Sequence, residues 1–301
     1  MEKIVEFTLE NGVNAVKIED VPYIDIFKTF DCGQCFRFDE VSIFGNKYEF
    51  GGVAFGKYVV FGQNHPNEII IYNSTVSDYQ SIWKSFLALD ADYDKINSEI
   101  SSALKNSHMD KAIEYGRGIR ILRQDRWEAI CSFIISQNNN IPRIKKIVGS
   151  MCEKYGESID FLGTNHYSFP SASVLLEAGV EGIFALKTGF RAKYIIDACE
   201  RITSGEIDLN LIQNEKNFNT CVDNLCKIKG VGLKVACCAL LFGFNKTEAF
   251  PVDVWIKRVI DNRFDGSLDI SLFGKNGGIA QQYLFYYERY ASSQPSAVSS
   301  Q

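Results

Sequence analysis

The chain has 301 residues, with 32 Lys and Arg against 37 Asp and Glu and a formal charge of −5. That length accommodates two or three domains and a sizeable core, and a composition of 46% hydrophobic and 23% charged residues excludes a largely disordered chain. No stretch reaches the roughly 18–20 apolar residues of a membrane span, and an acidic balance by itself argues against a nucleic-acid partner.

The charge is unevenly spread. Residues 1–110 hold 9 basic and 17 acidic side chains, net −8, and residues 111–301 hold 23 and 20, net +3. Such asymmetry suits two domains with different tasks. The first twelve residues, MEKIVEFTLENG, lack a cationic and then apolar leader, so an intracellular protein is expected, in the cytoplasm or nucleoid if bacterial. Segments 13–18, 34–38, 47–55, 58–61 and 68–72 are rich in Val, Ile, Phe and Tyr and are separated by turn residues. They are predicted as antiparallel strands, because such short connections do not accommodate parallel crossovers. Cys32 and Cys35 form a CxxC without a second one to complete a zinc site, so buried thiols are the expected state of the nine cysteines.

From Asp78 onward the pattern becomes helical, first through Ile82, Phe86 and Leu89, then through Ile96, Ile100 and Leu104. Asp125 and Glu128 resemble a capping box opening a helix through Trp127, Ile130 and Phe133, and Asn140 with Pro142 opens the next. Further helices are predicted at 171–178, 191–203, 217–227, 233–243, 254–262 and 277–290. The fold class is α+β. Residues 1–110 form an N-terminal antiparallel β-sheet domain with flanking helices, residues 111–290 a mostly helical body, and residues 291–301 a disordered tail.

The most informative segment is 225–236, LCKIKGVGLKVA. One helix pattern ends, Gly230-Val231-Gly232 turns the chain, and a second helix begins at once. Open amides at that second start can converge on one anion with the help of the helix dipole, so the hairpin suits a DNA phosphate held without sequence readout. Lys234 follows, beside apolar Val235, Ala236, Cys237 and Cys238. A lysine in apolar surroundings can lose its proton and become a nucleophile. Nineteen residues on, Asp253 in the run Phe250-Pro251-Val252-Asp253 precedes a helix. Its carboxylate can cap that helix and also stabilise positive charge developing on a sugar.

The order of Gly-Val-Gly hairpin, lysine and Pro-Val-Asp resembles the helix–hairpin–helix DNA glycosylase superfamily, and within it the 8-oxoguanine DNA glycosylase/lyase branch. Five further segments are similar to that branch in the same order: CGQCFR at 32–37, LRQD at 122–125, SQNNNIPR at 136–143, GFRAKY at 189–194 and AQQYLF at 280–285. The resemblance implies that Lys234 attacks C1′ of the damaged nucleotide, forms a Schiff base and nicks the strand by β-elimination, with Asp253 stabilising the oxocarbenium-like sugar. It implies that the Gly33 carbonyl reads the N7 hydrogen of a flipped 8-oxoguanine, that Gln281 binds the Watson–Crick edge, and that Phe285 and Cys238 sandwich the base. It places Asn138 in the gap left in the duplex, Arg143 and Arg191 on the orphaned cytosine, Phe190 as a wedge, and Gly230 and Gly232 at a DNA phosphate. Cytosine opposite the lesion is therefore the expected preference.

Two positions depart from the pattern: Trp255 stands where eukaryotic members commonly have His, and Cys237 where they commonly have Asp. The endonuclease III branch carries four cluster-binding cysteines after its Asp, whereas the last cysteine here is Cys238. No cofactor and no metal is expected for the chemistry. The expected partner is double-stranded DNA containing an oxidised purine, bound by a monomer that needs no membrane. The alternatives are a glycosylase for another damaged base and a non-catalytic helix–hairpin–helix DNA-binding module.

Overall fold

Six strands, β1 (Lys3–Thr8), β2 (Asn14–Glu19), β3 (Phe38–Glu40), β4 (Tyr48–Ala54), β5 (Lys57–Gln63) and β6 (Glu68–Tyr72), build one antiparallel sheet in the order β1-β2-β6-β5-β4-β3. The computed structural model describes residues 2–291. The expected tail therefore lies, apart from Ala291, outside the described residues. Alternation along each strand sends side chains to both faces, and both faces are covered. On one, Val16, Ile18, Phe50, Phe61 and Ile71 pack with Phe30, Trp83 and Phe86. On the other, Tyr58, Val60 and Tyr72 meet Phe161 from a small hairpin of β7 (Ser158–Phe161) and β8 (Thr164–Tyr167). That two-sided burial explains why β5 is so uniformly apolar.

Three features differ from the sequence expectation. The strand expected at 34–38 is only β3; residues 34–37 form a loop instead. Gln34 is fully buried there, and its side-chain amide bonds to the main chain at Thr29, Arg120 and Leu122. These bonds replace a strand ladder. The edge strand β1 and the β7–β8 hairpin were not foreseen, since β1 is largely exposed and the hairpin strands have four residues each. The helices Ile26–Asp31 and Ser107–Gly116 also lay outside the periodic pattern; side chains of Asp25 and Asn106 cap them.

The helical body is organised on two buried helices, Arg126–Ser136 and Leu233–Phe244. They pack through Phe133 and Phe242, whose rings stack at 5.2 Å, and through Gly243, where a Cβ would lie 2.8 Å from that of Ala129. Around them run Ile141–Tyr155, Ala172–Ile183, Arg191–Thr203, Phe218–Cys226, Val254–Arg263 and Gly277–Tyr290. The core of this body takes in Cys32 and Phe36 from the N-terminal part, and the sheet's core takes in Leu122. The two cores thus interlock across the 32–37 loop.

Asp125 accepts the Glu128 amide at 2.9 Å, but Glu128 returns no cap bond. Its side chain points into the core, where burial pushes its carboxyl up to about 7. The nine cysteines are free, eight of them buried and Cys226 exposed. Burial raises the thiols of Cys32 and Cys35 to about 12. No helix among the described residues is long and apolar enough to cross a membrane.

Candidate active site and DNA interface

The hairpin joins Phe218–Cys226 to Leu233–Phe244 through Gly230 and Gly232. Gly230 has φ +78°, and a Cβ there would run into the ring of Tyr194. Both facts require glycine. Tyr194 belongs to the GFRAKY segment, so two motifs distant in sequence meet at this turn. Gly232 is the N-cap of the second helix and offers no side-chain hydrogen bond. The neighbouring helices begin differently, at Asn217 and Asp253, whose carboxamide and carboxylate occupy their first amides. The hairpin helix alone of these three keeps its opening amides available to an anion.

Lys234 lies in the first turn of that helix, half-buried, with Nζ 5.9 Å from the centre of the Phe133 ring. Cys238 sits one turn further on. Burial pushes its thiol up to about 11, against the lowering effect of the nearby Lys234 charge. Asp253 caps Val254–Arg263 by accepting the amides of Trp255 at 3.0 Å and Ile256 at 2.9 Å, both on Oδ1. Neither bond uses Oδ2.

Lys234, Asp253, Gly33, Cys238, Gln281 and Phe285 line one recess of about 60 Å³. The recess adjoins a wider cleft of about 810 Å³, with which it shares Gly33, Phe133, Lys234, Asp253 and Phe285. Gln281 is buried, and its Oε1 has no hydrogen-bond partner among the described residues. That oxygen lies on a residue lining the recess and can accept a hydrogen bond there. A separate cavity of about 250 Å³, lined by Tyr23, Asp90, Tyr93, Asp94, Arg120 and Tyr283 among others, contains none of these residues.

The opposite wall of the cleft includes Asn138 and Asn140. Asn138 is exposed and left-handed, with φ +46°. Its carbonyl accepts from Arg191 Nη2 at 3.0 Å, and the same guanidinium bonds to the carbonyls of Gln137 and Thr188. Arg191 is 3% exposed and also lies 4.5 Å from the centre of the Phe190 ring. It therefore holds the 137–138 loop. Arg143, by contrast, is exposed, with one bond to the Lys187 carbonyl at 3.3 Å. Phe190 is half exposed. Thus Asn138, Phe190 and Arg143 gather around Arg191, and of the four only Asn138 lines the cleft.

Several residues of the site had no assigned role in the sequence. Phe133 carries no pattern that separates it from its buried neighbours. Gln282 is visible only as half of a Gln-Gln pair in an apolar helix. Arg289, one turn after Phe285, lies 5.8 Å from the centre of that ring. Among the described residues no group of three or more His, Cys, Asp or Glu side chains is arranged to hold a metal ion.

Comparison with known proteins agrees with this geometry. The family model described as the N-terminal domain of 8-oxoguanine DNA glycosylase matches residues 17–130, and that of the HhH-GPD superfamily of base excision DNA repair proteins matches residues 131–267. An N-glycosylase/DNA lyase of Arabidopsis thaliana is 30% identical over 275 residues, which are 87% of this chain and 73% of that protein. The N-glycosylase/DNA lyase of Saccharomyces cerevisiae is 34% identical over 154 residues, 48% of this chain; the matched part is 41% of the yeast protein's length. Among solved structures, the Clostridium acetobutylicum 8-oxoguanine glycosylase/lyase, in complex with double-stranded DNA containing cytosine opposite 8-oxoguanine, superimposes with a TM-score of 0.87 at 35% identity, covering 96% of this chain and 98% of that one.

Proposed function

This chain belongs to the HhH-GPD superfamily of base excision DNA repair proteins, in the branch with an 8-oxoguanine DNA glycosylase N-terminal domain, and from that premise we propose that it is a DNA glycosylase with AP lyase activity that excises 8-oxoguanine, preferentially opposite cytosine. The observation that carries the reading is the recess itself, where a nucleophilic amine, a carboxylate and four base-recognising groups face one small volume.

The target nucleotide leaves the duplex and its base enters the recess. Gln281 meets the Watson–Crick edge, its unpaired Oε1 accepting from the base. The Gly33 carbonyl accepts from N7–H, which 8-oxoguanine has and guanine lacks. Phe285 and Cys238 flank the ring. Lys234 Nζ then forms a bond to C1′ as the glycosidic bond breaks, and its electrons leave with the base, which takes up a proton. The amine loses a proton and the sugar ring opens to the imine. Removal of a C2′ proton expels the 3′ phosphate, which is the β-elimination step. Asp253 stabilises the cationic sugar, and its fixed position as a helix cap supports that role because the carboxylate needs no reorganisation.

The uncapped hairpin helix, with Gly230 and Gly232, takes a backbone phosphate. Asn138 fills the vacated place in the stack, Phe190 is the wedge, and Arg143 reads the orphaned cytosine through its acceptors N3 and O2. The buried guanidinium of Arg191 shapes the loop that presents Asn138 and reaches cytosine from the same cluster. The division near residue 110 separates a buttressing sheet domain from the body that holds DNA. The mildly basic body bears the DNA-facing groups, and the protein acts as a monomer.

Borohydride trapping tests this reading. The protein is expected to give a covalent adduct with duplex DNA containing 8-oxoguanine opposite cytosine, with less adduct opposite adenine and none for Lys234→Gln. An adduct that survives the substitution would remove Lys234 from the mechanism, and no excision from any oxidised or alkylated lesion would leave a DNA-binding module.

A further inference from the structure

A single carbonyl that distinguishes N7–H from a bare N7 lone pair must be held firmly, because hydrogen-bond strength falls steeply with distance and angle. Yet Gly33 sits in a loop with no secondary structure and has the backbone freedom of glycine at φ +76°. The restraint comes from side chains. The carbonyl of Asp31 accepts from Tyr290 Oη at 2.8 Å, that of Cys32 from Gln282 Nε2 at 2.7 Å, and that of Gln34 from Gln124 Nε2 at 2.7 Å. The carbonyl between them is that of Gly33. Within the loop, Gln34 anchors itself to Thr29, Arg120 and Leu122.

We propose that Gln282, Tyr290 and Gln124 are positioning residues that clamp the three neighbouring carbonyls, so that the Gly33 carbonyl alone faces the base at a fixed place, and that this clamp sets the discrimination between 8-oxoguanine and guanine. The inference rests on the reading of Gly33 given above. Two of the three donors come from the helix that also carries Gln281 and Phe285, Gly277–Tyr290. Gln281 reads one edge of the base while its neighbour Gln282 holds the loop that reads another. The distance between the two readers is thus set by one helix rather than by the flexible glycine. The third donor, Gln124, lies next to Asp125, the cap of the helix bearing Phe133. A loosened carbonyl can retreat from the N7 lone pair of guanine, which lowers the penalty against the undamaged base, and it also holds N7–H less well.

The test measures three single-turnover rates: excision of 8-oxoguanine opposite cytosine, excision of guanine from the matched undamaged duplex, and nicking of a preformed abasic site. Gln282→Leu keeps the bulk and loses the donor. It is expected to lower 8-oxoguanine excision by about threefold and to raise guanine excision by about threefold, so that the 8-oxoguanine-to-guanine ratio falls by about tenfold, the scale of one lost buried bond plus a small misplacement. Abasic-site nicking should stay within about twofold, since no base is read there. Tyr290→Phe loses one hydroxyl at the end of the helix and should shift the ratio in the same direction by about threefold, which keeps the inference open to refutation if Gln282→Leu does not fold. A parallel fall in all three rates, or an unchanged ratio in Tyr290→Phe, would overturn the clamp. The failure of the underlying reading has a different signature: unmodified protein that nicks abasic DNA but does not prefer 8-oxoguanine to guanine.

Discussion

The sheet and the helical body meet at one recess and bring different things to it. The sheet side contributes the loop around Gly33, which presents a main-chain carbonyl and no charge. The helical side contributes Lys234 and Asp253, both in first turns or caps of helices, together with the uncapped amides of the hairpin. Their charges follow the same division: −8 in residues 1–110, which carry the Gly33 loop, and +3 in the remainder, which carries Lys234, Asp253 and the hairpin proposed to hold phosphate. On the proposed function, recognition rests on geometry supplied by the sheet-side loop, and catalysis on charges and dipoles supplied by helix termini. The two are separable by mutation, and two substitutions should separate them, while a third tests the packing behind both.

The largest effect is expected on the helical side. Asp253→Asn keeps a capping side chain, so stability should change by no more than about 0.5 kcal/mol. The loss of negative charge beside the sugar should slow excision by roughly 100-fold. Melting curves alongside single-turnover rates check both parts, and a variant as active as the parent would remove the carboxylate from the chemistry. Next comes the sheet side. In Gly33→Ala the new Cβ would stand 3.2 Å from Ile141 Cδ1 and 3.6 Å from Phe285 Cε1 at a positive φ. Excision of 8-oxoguanine should fall by about 10- to 30-fold, the scale of a misplaced recognition group. Nicking of abasic DNA should fall far less, and equal losses would show that the loop is not a reader.

The smallest effect concerns neither activity. Glu128, buried in the body, has its carboxyl raised by desolvation to about 7 from an ordinary value of 4.5. The folded state therefore binds this proton more tightly than the unfolded chain does. The stabilising contribution is fully present at low pH and is lost as pH rises from about 4.5 to about 7. Glu128→Gln removes that dependence. It should be more stable than the parent at pH 8, by on the order of 1–3 kcal/mol, and close to it at pH 5. Denaturant melts at the two pH values test the sign. A variant less stable at pH 8 would mean that the carboxylate is held by Arg37 strongly enough to outweigh its burial.

Much of this was legible in the residues. Helix starts announced themselves through local chemistry. Asn140 with Pro142, and Asp253 before Val254, cap their helices as their sequence context suggested, and the helix predicted at 277–290 has those bounds. Capping involves neighbours within three residues, so the signal is contained in a short window. The same window failed at 34–37. An apolar, aromatic run suggested a strand, but the side chain of Gln34 competes for the main chain there, and its partners at Arg120 and Leu122 lie more than eighty residues away. It also failed at Glu128, where a local cap pattern gave way to burial dictated by the packing of a helix buried on every side.

The sequence by itself determined the class of the molecule and singled out its candidate reactive groups: a hairpin turning on two glycines, a lysine at fixed distance behind it, and a carboxylate at a helix start. These are properties of residue type and spacing, and they survive without coordinates. Only the tertiary structure decided how residues 31–34, 124, 282 and 290 come together, that the carbonyls of Asp31, Cys32 and Gln34 are occupied by side-chain donors, and that Arg191 holds a loop from within while Arg143 stands exposed. Those outcomes depend on hydrogen bonds between segments up to about 260 residues apart. Such bonds form only once the cores have packed, and no local pattern records which donor will find which acceptor.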